Sequence, residues 1–115
     1  MLSKKNRLNL SLEENSSIFM KDSSQIFVSD FFIAYLRRNE TFLQASCLTP
    51  KAAINKAAHR NYIRRFMYSL LEENILNNEI SIFDKIDLVI VLKRRFPNDK
   101  SLLKKDFVSL IKKIK

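Results

Sequence analysis

The chain predicts an α+β domain: one small four-stranded sheet packed against helices, in the order α-β-β-β-α-β-α. Three stretches lead to that reading. Gln25 to Leu36 is crowded with aromatic and β-branched side chains, among them Ile26, Phe27, Val28, Phe31, Phe32, Ile33 and Tyr35, a composition that suits strands. Lys51 to Asn74 runs without Gly or Pro and reads as a long helix. Asp87 to Leu92 is an almost unbroken apolar run, as expected of a strand covered on both faces, and an amphipathic tail follows it. With 115 residues, of which 46% are hydrophobic, residues 1–115 form a single domain around one core.

Taken in order, residues 11–20 predict a short first helix. Ser11 can cap it, Glu14 stands three residues on as in a capping box, and Leu12, Ile18 and Phe19 supply apolar contacts before Asp22, Ser23 and Ser24 end it. The Ser29-Asp30 pair marks a kink in the next stretch or a break between two short strands. Arg37, Arg38, Asn39 and Glu40 read as a hairpin loop, and Thr41 to Leu48 as the returning strand. Thr49 can cap the long helix, with Pro50 just ahead of it, where a missing N–H does no harm. Asn74, Asn77 and Asn78 make a polar connector, and Ile80, Ile82 and Phe83 a short apolar patch. Pro97 ends the loop after the last strand. Asp99 or Ser101 then caps a closing helix with Leu102, Leu103, Phe107, Leu110, Ile111 and Ile114 on its apolar side.

The long helix carries the densest chemistry. At about 100° per residue, Lys56, Arg60 and Arg64 form one stripe, flanked by Ala57, Asn61 and Arg65. Ala58, Tyr62 and Phe66 point to the other side, the apolar face expected to dock on the sheet. No acidic residue occurs from Lys51 to Leu71, whereas a merely solvated helix face usually mixes signs at i, i+4. Asn61 offers a donor and an acceptor beside the arginines, a set suited to phosphate oxygens and sugar hydroxyls together. A formal charge of +9 and a pI near 9.9 point to an acidic partner, nucleic acid first and an anionic membrane second.

Other chemistries find little support. The lone Cys47 excludes an internal disulfide and reads as a small buried hydrophobe, and a single His cannot make a zinc ligand set. His59 has no Cys or Ser at a telling spacing and is read as an RNA contact or a spectator. The acids are dispersed singly or as the Glu72-Glu73 pair, so the sequence offers neither a metal site nor a carboxylate cluster for hydrolysis. Met1 to Leu10 lacks the apolar segment of a secretory signal. No apolar run nears the roughly 18 residues that span a bilayer, so a soluble, cytoplasmic protein is expected. A general basic RNA- or DNA-binding module, ribosomal-protein-like or a helix-turn-helix variant, would explain the charge but not the strands on either side of the helix. A membrane-surface role conflicts with the sheet's need for the last helix's apolar face.

The run Ala57-Ala58-His59-Arg60-Asn61-Tyr62-Ile63-Arg64-Arg65 resembles the arginine-asparagine-arginine motif helix of the bacterial ribonuclease P protein component, usually written A-V-x-R-N-R-I-K-R. Arg7-Leu8 resembles the pair that opens the family's first helix, and Phe19 one of its aromatics. Phe32-Ile33-Ala34-Tyr35 is similar to a family strand, Asp87 to Val91 with Lys93 and Arg94 to the fourth strand, and Phe107-Val108-Ser109-Leu110 to the closing helix. The chain departs from the pattern in having no glycine, in Tyr62 where a basic residue is usual, and in Ala52 and Ala53 where a basic pair is usual. Helical geometry would put Tyr62 on the core side.

The resemblance implies a divergent protein subunit of the RNA-based endoribonuclease that removes the 5′ leader of precursor tRNA. The RNA subunit with magnesium would do the hydrolysis, and the protein would bring no catalytic residue, no metal site of its own and no small-molecule substrate. Lys56, His59, Arg60, Asn61, Arg64 and Arg65 would bind the catalytic RNA. Phe19, Phe32 and Tyr35 would stack bases of the leader, at about 1 to 3 kcal/mol per base. It further implies a left-handed strand-helix-strand crossover, against a strong general rule.

Overall fold

A computed structural model describes residues 6, 8, 25–51, 54, 56–76, 85–93 and 99–114. Four strands, β1 (Gln25–Val28), β2 (Phe32–Arg38), β3 (Gln44–Leu48) and β4 (Ile86–Leu92), and two helices, α1 (Ala57–Leu76) and α2 (Lys100–Ile114), follow one another as β-β-β-α-β-α. The helix expected at residues 11–20, the apolar patch at 80–83 and the loop at Pro97 lie outside the described residues.

The sheet runs β1-β2-β4-β3, with β2 antiparallel to both β1 and β4, and β3 parallel to β4. Of the kink or break expected at Ser29-Asp30 the chain makes a break, but the expected hairpin between the second and third strands is not there. Arg37 and Arg38 belong to β2, and β4 lies between β2 and β3. Leu88, Val89 and Ile90 of β4 are each 0% exposed, so β4 needs cover on both faces and neighbours on both edges, whereas the shorter, more polar β3 can sit outermost. Arg37 faces Asp87 across the β2–β4 register, and its Nη2 donates to Asp87 Oδ2 at 2.8 Å. Asn39 then turns the chain beneath β4: its N–H donates to the Lys85 carbonyl, and its Nδ2 donates to the Phe42 carbonyl and to Asp87 Oδ1.

Phe32, Ala34, Leu88, Ile90, Leu92, Ala45 and Cys47 share the face covered by the helices. From α1 this core receives Ile63, Met67, Leu70 and Leu71, spaced i, i+4, i+7, i+8, with Asn74 beneath them donating to the Leu70 carbonyl. The buried side of α1 is therefore turned by one position from the one the sequence suggested. Tyr62 is 49% exposed, and Phe66 packs only partly against the core, because Ile63 and Met67 take the central places.

The helix also starts later than Lys51. Ile54 N–H bonds back to the Pro50 carbonyl in a separate turn, Arg60 N–H reaches the Lys56 carbonyl, and the Thr49 hydroxyl donates to the Arg60 carbonyl instead of capping. Burial pushes the Cys47 thiol far above its usual range, which keeps it protonated and inert, the small buried hydrophobe expected of it.

The last helix is capped by Asp99, whose Oδ1 accepts from the N–H groups of Ser101 and Leu102. Leu103, Phe107, Leu110 and Ile111 face the sheet, while Leu102 is exposed. One carboxylate ties α2 to the β1–β2 turn: Asp106 accepts from the Ser29 hydroxyl at 2.6 Å, from Phe31 N–H at 2.8 Å and from Asp30 N–H at 3.1 Å. Lys93 and Lys113 donate to the carbonyls of Ser29 and Val28 on either side.

On the opposite sheet face Leu8 packs with Val89, Tyr35, Leu48 and Val91. Leu8 N–H donates to the Ala45 carbonyl, Asn6 Nδ2 to the Leu43 carbonyl, and Cys47 N–H to the Tyr68 hydroxyl. These three bonds occupy the outer side of β3 and the chain just ahead of it.

Candidate nucleic-acid interface

Cations gather on the N-terminal part of α1. Lys56 stands just ahead of the helix and is exposed, as are Asn61, Arg64 and Arg65, while His59 and Arg60 are half-buried. Asn61 Oδ1 accepts from Arg64 Nη2 at 2.7 Å, which fixes the direction of that guanidinium along the helix surface and leaves further donors on it. Arg60 behaves differently. Its Nη1 donates to the Ile54 carbonyl at 3.0 Å, so it ties the start of α1 to the turn before it.

The stripe expected along Lys56, Arg60 and Arg64 is thus only partly a free surface. Lys56 lies outside the helix and Arg60 bends back, which leaves Asn61, Arg64 and Arg65 as the outward group. His59 stands nearly opposite Asn61 around the helix, at about 100° per residue, and does not join that group. Among the described residues, none of the α1 side chains before Glu72 is acidic.

The aromatics expected to contact a leader separate in the same way. Phe32 is 1% exposed and meets Phe107 edge to face, with ring centroids 5.4 Å apart. It is a core residue, because its register with Leu92 puts it on the helix-covered face, and no base can reach it in the folded chain. Tyr35 lies on the other face, half-buried beside Leu8 and opposite Val89, with Ile26 its partner on β1. Ile26 and Val28 are 45% and 47% exposed there, so this face offers apolar surface beside the Arg37–Asp87 pair. Phe19 lies outside the described residues.

Sequence reading did not anticipate Lys100. Its Nζ lies 4.5 Å from the centroid of the Tyr62 ring and 5.6 Å from that of Phe66. Only the packing of α2 against α1 creates that contact, and no local pattern signals it. Among the described residues, no three His, Cys, Asp or Glu side chains converge as a metal site, and no helix is long and apolar enough to cross a membrane.

The same architecture occurs in solved structures of bacterial proteins. The ribonuclease P protein of Thermotoga maritima superposes with a TM-score of 0.74 at 19% identity, covering 95% of this chain and 97% of that one. That of Staphylococcus aureus gives 0.70 at 15% identity, covering 96% and 95%. At such identities the likeness speaks for the fold. No curated protein matches by sequence. The sequence profile of the Ribonuclease P family, however, matches residues 2–115, nearly the whole chain. This chain belongs to the ribonuclease P protein family.

Proposed function

We propose that the chain is the protein subunit of a ribonuclease P ribonucleoprotein, binding the catalytic RNA and the 5′ leader of precursor tRNA during 5′ maturation. The observation that carries this reading is the outward face of the N-terminal part of α1, free of acids before Glu72, where Asn61 orients Arg64 beside Arg65. A guanidinium held this way, with a second arginine beside it, suits phosphate oxygens of structured RNA. Magnesium bound with the RNA subunit supplies the hydrolytic chemistry. The protein binds and orients, and its charge of +9 lowers the cation concentration the assembly needs. Tyr35, with Ile26 and Val28 on the open sheet face, is the stacking surface for the leader. Such a subunit works in the cytoplasm.

The test is cleavage of precursor tRNA by a bacterial catalytic RNA at low magnesium, with and without this protein. Cleavage should rise with the protein and fall back when both Arg64 and Arg65 are changed to Ala. RNA cleavage by the purified protein alone would overturn the reading. Equal affinity for unrelated structured RNAs, without stimulation, would make it a general basic RNA-binding module.

A further inference from the structure

We propose that the RNA-binding surface spans both helices, with Lys100 as a contact to RNA backbone phosphate and Tyr62 and Phe66 as the residues that position it. This rests on the RNA-binding reading of α1 and extends it to the first residue of α2. The cations of α2 fall into distinct settings. Lys104 Nζ lies 3.4 Å from a Glu73 carboxylate oxygen, and Lys113 donates to the Val28 carbonyl. Lys100 instead has its ammonium over two aromatic rings, within the roughly 6 Å at which a ring face attracts a cation. A ring face holds an ammonium without bringing an opposing charge, so the contact restricts the movement of Lys100 without pairing it with an anion. The neighbouring carboxylate, Asp99, is occupied with the N–H groups of Ser101 and Leu102.

The position is the second part of the argument. Tyr62 is 49% exposed, so the ring and the cation it holds are at the surface. Arg65 follows Tyr62 by three residues, about 60° round the helix, on the same outward side. Lys100 therefore continues the cationic face of α1 across the gap between the helices. It also sits in the first turn of α2, where the helix dipole disfavours a cation and the acid at hand is the capping Asp99. The ring contacts hold the lysine against α1 with its residue exposed, so a polyanion running along α1 would meet it, and the extended charge fits an RNA backbone.

The experiment measures binding of the full-length chain to a bacterial ribonuclease P RNA over a range of salt concentrations, beside thermal melting of each variant. Lys100→Gln should weaken binding several-fold at low salt and reduce the salt slope by about one, with little change in melting. Tyr62→Leu should weaken binding to a similar degree and add little to Lys100→Gln in the double variant, while Tyr62→Phe keeps wild-type affinity. Wild-type affinity and slope in Lys100→Gln would overturn the proposal, and so would a loss confined to melting, which would make the contact a pin between helices. If Arg64→Ala weakens binding and Lys100→Gln does not, the proposal fails and the function reading stands. If the wild-type chain fails to bind, both fall.

Discussion

One helical turn separates Arg60 from Arg64, yet the two should respond differently to removal. Arg60 donates to the Ile54 carbonyl while its own carbonyl accepts from Thr49, so Arg60→Ala should cost about 1 kcal/mol of stability, the worth of a typical hydrogen bond, as well as RNA affinity. Arg64 is exposed, and Arg64→Ala should stay within about 0.5 kcal/mol of wild type in stability while weakening RNA binding. Urea titration beside a binding curve for each variant separates these outcomes. Sequence shows both arginines on one stripe but not the carbonyl that Arg60 reaches, because that depends on the turn folding back. Phe32 and Tyr35 carry a similar lesson. Alternation places them on opposite faces of a strand, but only the register with β4 tells which face the helices cover. Phe32→Ala should cost about 3 to 5 kcal/mol, and a stability loss near zero would show that this face is open. Tyr35→Ala should cost less and should reduce the advantage of a leader-bearing substrate in competition with a leaderless one. Cys47, fully buried, should react with a thiol reagent only as fast as the domain opens, so labelling should slow under stabilising conditions.

At the scale of elements, α1 was legible as a long basic helix from its unbroken run and its lack of Gly and Pro, but its facing was not. Tyr62 and Phe66 look like core residues because they are large and apolar, while the spacing of Ile63, Met67, Leu70 and Leu71 is the stronger helical signal. Met67→Ala should cost about 2 to 5 kcal/mol, clearly more than Phe66→Ala, since Met67 is 0% exposed and Phe66 only partly covered. The reverse order in paired denaturation curves would restore the sequence-based facing. For α2 the cap at Asp99 was readable, while the latch at Asp106 was not, because the Ser29–Phe31 turn is far away in sequence. Asp106→Ala should lower stability by about 2 kcal/mol through loss of charge-assisted bonds to Ser29 and Phe31. Amide exchange should then quicken first at the β1–β2 turn.

At the scale of the whole molecule, strand composition established an α+β domain, and the continuous apolar run of β4 marked a strand covered on both faces. The order of strands lay beyond it. Arg37 to Glu40 has the polarity of a hairpin loop, and only the pairing of Arg37 and Asn39 with Asp87 shows the chain passing beneath β4 instead. That arrangement has a kinetic consequence during protein synthesis. The ribosome delivers β2 and β3 well before β4, the strand that separates them. Until Ile86–Leu92 emerges, both earlier strands hold an unpaired edge toward an empty centre, and α1 has only part of a sheet to cover. A nascent chain halted before β4 should therefore be prone to self-association and should recruit chaperones, and release of the remaining residues should end both. In refolding the finished chain, pulse-labelled amides of β2 and β3 should gain protection together with those of β4, in one step governed by the long-range closure of the sheet.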